Sequence, residues 1–350
     1  QGGMEGGTAA AELLCGIGNP SGKLTDTFAK RLEDYPSTEN FHESDDYVDY
    51  TEDIYVGYRY FETIPGAAAC VNYPFGYGLS YTEFHWDILS AEQIGESIRI
   101  VVAVKNTGKF AGKEVIQVYA GAPRGKLGKA NRSLVAFQKT SLLQPGETQE
   151  LTLEFPIYAM ASYDDLGKVA KSAYVLEKGK YTFYVGNSVR NTAALDDLFS
   201  LTEDRIVQQL SAKLTPKGLK KRLLADGSYE ALPVSEKSPE TGEQLPALPL
   251  EELETVYPKT RSNILRPRDR DKREIHWFDE VAEGKITLDE FVAQLTDEDI
   301  CYLLSGQPNL GVANTQGFGN LPAYGVPNAM TSDGPAGVRI HRECGVYTTA

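Results

Sequence analysis

The sequence predicts a multidomain chain that combines α/β segments with an all-β unit. Three observations carry this. At 350 residues there is room for two or three domains, each able to bury a core. Between about residues 84 and 188, apolar and polar residues alternate with period two over six or seven short runs, the signature of a β-sandwich. After Trp277, helix-start signals replace that alternation.

The elements follow in order. The opening Gly2-Gly3-Met4-Glu5-Gly6-Gly7 lacks the basic start and apolar core of a signal peptide, and the chain reads as beginning inside a longer one. Thr8 to Leu14 predicts a short helix, with Ala9/Leu13 and Ala10/Leu14 as i,i+4 pairs and Gly16 or Gly18 to end it. Asn19-Pro20-Ser21-Gly22 is a turn, Tyr47 to Tyr60 is aromatic and acidic, and Pro74 to Gly78 closes the segment. Strands are expected near Phe84 to Leu89, Ile98 to Val104, Val115 to Ala120, Leu134 to Phe137, Leu151 to Phe155 and Tyr181 to Val185. Residues 196 to 275 are polar and broken by prolines; Ser235 to Pro249 reads as an exposed connector and Arg266 to Glu274 as a solvated charge run. Thr287-x-x-Glu290 is a capping box with Ile286 and Phe291 as its hydrophobic staple. Thr296-x-x-Asp299, stapled by Leu295 and Ile300, repeats the device, so helices are expected at Leu288 to Gln294 and Asp297 to Leu304.

Composition excludes several classes. With 35 Lys+Arg against 49 Asp+Glu the net charge is −14, which argues against a nucleic-acid partner. No apolar stretch approaches the roughly 18 residues of a membrane span. Cys15, Cys70, Cys301 and Cys344 are too scattered for a disulfide scaffold or metal site and read as reduced thiols. His42, His85, His276 and His341 have no ligand spacing, so no metal is expected. Asp45, Asp46, Asp49, Glu52 and Asp53 lack the pattern of a calcium loop and read as a solvated face. Gly16-Ile17-Gly18 is followed by Asn19-Pro20, which opposes a dinucleotide-binding helix start, and no cofactor is implied.

The most chemically pointed stretch is Gly325 to Arg339. If Asn328 to Ser332 is a strand, Asp333 projects from its C-terminal end into a loop, where the ligands of a parallel barrel bind. The residues alone leave open a second account, in which Asp333 caps its turn and Arg339 pairs with it.

Asp333-Gly334-Pro335-Ala336-Gly337-Val338-Arg339, preceded by Gly325-Val326-Pro327, resembles the first-strand motif of glycoside hydrolase family three, the β-glucosidase family. Glu5-Gly6-Gly7 with Asn19 to Leu24 (NPSGKL), Tyr55 to Phe61 (YVGYRYF) and Pro74 to Thr82 (PFGYGLSYT) resemble further motifs of that family. The resemblance implies the C-terminal part of an α/β sandwich domain at 1–82 and a fibronectin type III-like β-sandwich at 83–195. A linker at 196–250 and the start of a (β/α)8-type barrel at 251–350 would follow. That is the reversed domain order of one family subgroup, an engineered permutation being the alternative. It further implies a retaining hydrolase with a barrel Asp nucleophile and an α/β-domain Glu acid/base. Both are expected outside the chain, after residue 350 and before residue 1, so the chain alone is expected to be inactive; Glu5 is not promoted in their place. Asp333 is expected to accept hydrogen bonds from adjacent glucose hydroxyls, and Arg339 to fix that carboxylate or donate to the sugar. The implied partner is a small oligosaccharide or glucoside, with no nucleic acid, no membrane, and a homo-oligomer allowed. The expected location is cytoplasmic, with secretion as the alternative. The competing functional reading is a non-catalytic carbohydrate-binding or adhesion module built on the fibronectin-like domain.

Overall fold

The computed structural model describes residues 5–210, 218–233, 275–306 and 317–333. They divide between two compact units, one made of Gly16–Thr241 and the other of Gln1–Cys15 with Gly242–Ala350.

The first unit opens with a small antiparallel pair, β1 (Phe28–Ala29) and β2 (Val71–Tyr73). A one-turn helix at Tyr58–Phe61 buries Phe61 against Ala67 and Val71, with Tyr35 edge-on to the Phe61 ring at 5.5 Å. The sandwich follows. Its strands begin with β3 (Phe84–Ile94), β4 (Ser97–Asn106), β5 (Val115–Gly121), β6 (Ser133–Lys139) and β7 (Thr148–Pro156). The later ones are β8 (Ser162–Asp164), β9 (Ala173–Leu176), β10 (Gly179–Gly186), β11 (Thr192–Leu201) and β12 (Arg205–Gln209). One sheet has the order β3-β4-β7 and the facing sheet β11-β10-β5-β6, all antiparallel neighbours.

The period-two alternation builds the core directly. Ile98, Ile100, Val102 and Val104 of β4 point inward with Leu151, Leu153 and Phe155 of β7. They meet Ile116 and Val118 of β5 and Tyr181, Phe183 and Val185 of β10. Each is essentially solvent-free, and burial of such a side chain contributes about 1.5–3 kcal/mol. Six of the seven strands of these two sheets lie where the alternation predicts; β11, at Thr192–Leu201, is the one the sequence reading did not expect.

A third sheet, in the order β12-β9-β8, was not legible in the sequence. Its strands are three to five residues long, and β12 is held by backbone pairing to β9 while Ile206 faces solvent. An edge strand needs ladder hydrogen bonds more than apolar content, so its pattern is weak. The expectation of a linker from residue 196 is corrected in part for the same reason. The end of β11, then β12, β13 (Lys221–Leu223) and β14 (Tyr229–Ala231), occupy that stretch. Ser235 to Pro249 and Arg266 to Glu274 lie outside the described residues.

The second unit holds a helix at Gly6–Leu14, three short helices at Phe278–Ala282, Leu288–Ala293 and Asp297–Leu304, and a hairpin. Both capping boxes form. Thr287 Oγ1 accepts from the Glu290 N–H at 3.2 Å while the Glu290 carboxylate accepts from the Thr287 N–H at 2.8 Å. Thr296 and Asp299 repeat this at 3.2 and 3.0 Å. Ile286 and Leu295 join the core of Phe291, Leu321 and Tyr324. The hairpin pairs β15 (Gly317–Leu321) with β16 (Val326–Met330) antiparallel. This corrects the expected strand at Asn328 to Ser332: Gly325, in the left-handed region at φ 77°, sets the hairpin turn and starts the strand two residues earlier. A parallel barrel sheet is not formed among the described residues, since parallel neighbours need crossovers of a dozen residues or more. Among the described residues Cys15, Cys70 and Cys301 are free thiols, and no helix is long and apolar enough to cross a membrane.

Candidate functional site

Two places collect the residues that the sequence singles out. The first is a joint between residues 19–82 and the sandwich. The Leu24 N–H donates to the Tyr77 carbonyl and the Gly76 N–H to the Leu24 carbonyl, both at 2.8 Å. Lys23 pairs with Glu114 on the sandwich side at 2.7 Å, and Glu114 accepts from Asn187 Nδ2 at 2.9 Å. The Tyr58 ring stacks 4.6 Å from Phe75, and its hydroxyl oxygen accepts from the Leu134 N–H at 2.9 Å. Thr82 Oγ1 donates to Asn106 Oδ1 at 2.8 Å, and the buried Asn106 amide donates to the Leu143 carbonyl at 2.9 Å. Polar groups in such a seam must be paired, because an orphaned buried donor or acceptor costs about 1–3 kcal/mol. Three of the sequence's motifs therefore serve to lock one segment to another. None presents a reactive side chain in the joint.

The second place is the end of β16. A Cβ on Gly325 would stand 2.8 Å from the Trp277 ring, so only glycine fits between its turn and the preceding helix. Asp299, 5% exposed, accepts from the Thr296 N–H and Oγ1 and lies 3.4 Å from the Tyr324 hydroxyl, which ties helix to hairpin. Asn328 on β16 keeps both polar side-chain atoms buried without a partner among the described residues. Asp333 follows three residues beyond the strand end and is exposed. Arg339 lies outside the described residues. Glu5 sits exposed at the start of the Gly6–Leu14 helix, its carbonyl accepting from the Ala9 N–H at 2.9 Å, a structural role.

The acidic run does not act as one group. Asp45 and Asp46 face solvent, Glu52 is buried, and Asp53 stands 3.6 Å from Arg222. Among the described residues no group of three or more His, Cys, Asp or Glu is placed to hold a metal. His85 lies beside Asp87 and His276 beside Glu280, each at 3.2 Å on the surface. Sequence reasoning missed Arg222, which gathers Asp53, Asp165 and Glu230 from three separate segments. No local spacing signals such a cluster.

Fold and joint define a modular chain: one unit is a β-sandwich with a preceding segment stitched to it, and the other is built of short helices and a hairpin. Residues 114–189 match the fibronectin type III-like domain, and residues 1–81 match the glycosyl hydrolase family 3 C-terminal domain. The chain is 55% identical to β-glucosidase A of Butyrivibrio fibrisolvens, in an alignment taking in 100% of this chain and 45% of that protein. It is 43% identical to a β-glucosidase of Ruminococcus albus over 97% of this chain and 35% of that one. A solved β-glucosidase from Paenibacillus barengoltzii superposes with a TM-score of 0.71 at 42% identity, over 97% of this chain and 37% of that chain. β-Glucosidase 3B of Thermotoga neapolitana, solved in complex with α-D-glucose, gives 0.52 at 43% identity over 58% of this chain and 28% of that chain. The chain belongs to glycoside hydrolase family three. It spans less than half the length of the curated relatives it matches.

Proposed function

We propose that this chain is a segment of a retaining β-glucosidase that releases terminal, non-reducing β-D-glucosyl residues from oligosaccharides or glucosides. The observation that carries the reading is the 55% identity to a β-glucosidase along the whole chain. The order of segments supports the reversed-domain subgroup: two relatives match 97% or more of the chain, whereas the Thermotoga enzyme matches 58%. In this reading residues 251–350 begin the catalytic barrel, and Asp333 sits in the loop where its first strand ends. Its carboxylate would accept two adjacent hydroxyls of the glucose ring, and Arg339 would hold that carboxylate or donate to the sugar. The nucleophile and the acid/base belong to parts of the enzyme outside these residues. Two carboxyl groups about 5–5.5 Å apart would give hydrolysis with retention.

The test is an assay of the full-length protein on aryl β-glucoside and aryl β-xyloside, with the anomer of the first product read by NMR. Faster turnover of the glucoside with β-glucose released first is expected. Failure to cleave the glucoside, or release of α-glucose, would overturn the reading.

A further inference from the structure

On the sandwich unit a groove of about 1000 Å³ runs between the Asp53–Arg59 segment, the loop from Ala122 to Lys129, the Met160–Tyr163 turn and the β13–β14 hairpin. Its floor is polar and fixed. Arg222, with its side chain 13% exposed, donates from Nη1 to both oxygens of Asp165 at 3.0 Å and from Nε to Glu230 at 3.0 Å. Lys168 donates to the other Glu230 oxygen at 2.6 Å, and Asp53 completes the ring of carboxylates. Asp53 holds a left-handed backbone at φ 52°, a conformation that costs a non-glycine residue about 1–2 kcal/mol, and strain of that kind clusters at ligand clamps.

One wall is aromatic. Tyr163 of β8 and Tyr174 of β9 are cross-strand partners that line the groove with ring centroids 5.3 Å apart, and Tyr158 stands 5.3 Å behind Tyr174. Tyr163 is 43% exposed, so it has ring surface to offer. The lining itself holds six cationic side chains against four carboxylates, and Glu177 and Asp204, just outside it, pair with two of those cations, Lys129 and Lys126. The groove therefore departs from the acidic balance of a chain of net charge −14.

Aromatic surface beside locked, mutually neutralised hydrogen-bonding groups suits a ligand with apolar faces, many hydroxyls and no charge. At the floor of the groove, an anion would have to displace the carboxylates from Arg222, and a cation would have to displace Arg222 itself. We propose that this groove is a saccharide-binding site separate from the barrel loop, taking a neutral oligosaccharide. A sugar face lies on Tyr163, and hydroxyls reach Asp165, Glu230 and Arg222. The site is argued from the groove alone; only the choice of a β-linked glucan as first probe rests on the β-glucosidase reading.

Isothermal titration calorimetry of the 350-residue chain with cellotetraose and maltotetraose tests it. At least one should bind with a dissociation constant of about 1 mM or tighter. Tyr163→Ala should weaken that binding by about tenfold or more at an unchanged melting temperature, while Tyr163→Phe should retain it. Absence of binding by both tetraoses up to about 20 mM overturns the proposal, as does equal affinity of the Tyr163→Ala chain. So does stronger, salt-sensitive binding of a polyanion such as polyglutamate. If the full-length enzyme hydrolyses β-glucosides but the chain binds neither tetraose, the groove proposal alone has failed. Tetraose binding beside an inability to cleave β-glucosides removes the β-glucosidase reading and leaves the groove.

Discussion

Asn19 Oδ1 accepts a hydrogen bond from the Tyr81 backbone N–H at 2.9 Å, so the first residue of NPSGKL holds the penultimate residue of PFGYGLSYT. The same oxygen takes the Ser80 hydroxyl at 3.1 Å, and the Asn19 Nδ2 group donates to the Ala111 carbonyl at 2.9 Å. One amide therefore joins three chain segments. At about 0.5–1.5 kcal/mol net for each bond, Asn19→Ala is expected to destabilise this unit by about 1–3 kcal/mol. Chemical denaturation should show a lower midpoint with an unchanged slope, and the full-length enzyme's turnover per folded molecule should not fall.

Gly78 tests the same joint by overpacking. A Cβ there would fall inside the van der Waals envelope of the Gly22 carbonyl oxygen and 2.9 Å from Lys23 Cδ. The lysine can move; the backbone carbonyl is held by the neighbouring Leu24–Tyr77 and Gly76–Leu24 bonds. Gly78→Ala is expected to cost about 1–3 kcal/mol, measured by thermal melting. A wild-type melt would show that the two segments are less tightly seated than their geometry requires.

The sandwich was legible because its core strands bury alternate residues, and burial on one face forces a period of two into the sequence. The capping boxes were legible because both halves of each device sit three residues apart. The third sheet was not, because β8 and β12 gain pairing from backbone groups that every residue carries. The roles of the motif residues were legible only as a resemblance, and the joint they build appears when the Asn19–Tyr81 and Gly22–Gly78 approaches are seen in space. Arg222 was invisible for a simpler reason. Its carboxylates come from positions 53, 165 and 230, and long-range ion pairing leaves no periodicity.

Asp164 carries the clearest pH dependence. It is fully buried, and Oδ1 accepts from the Gly167 and Lys168 N–H groups at 2.7 and 3.0 Å while Oδ2 accepts from those of Val169 and Ala170 at 2.6 and 2.8 Å. Burial works against ionisation, but the four backbone donors together outweigh it and hold the carboxyl below the usual aspartate range. A depressed folded-state pKa gives stability that is present above the unfolded value near 3.9 and is lost as pH falls through the folded value. The wild-type chain should therefore lose stability progressively below about pH 4. Asp164→Asn should flatten that part of the profile and cost about 3 kcal/mol or more at pH 7, because its NH2 group faces two N–H donors. An unchanged profile would remove Asp164 as the source.

Asp333 decides between the two accounts that the sequence left open. In the proposed enzyme it accepts two sugar hydroxyls, each charge-assisted bond being worth about 1.5–3 kcal/mol. Those bonds hold the glucose ring as it distorts toward the oxocarbenium-like state, so their loss is felt in the transition state as well as in binding. Asp333→Asn keeps the size of the side chain while removing its charge and half its acceptor capacity. In the full-length enzyme kcat/KM is expected to fall at least about a hundredfold, or roughly 2.7 kcal/mol. Stability should barely change, since Asp333 is exposed and lies past the last residue of β16. The turn-capping account expects the reverse: a lower melting temperature with activity per folded molecule intact. Measuring kcat/KM and Tm on one purified variant separates them. A stable, fully active Asp333→Asn enzyme would defeat the sugar-binding role, and an unstable but active one would assign the carboxylate to its turn.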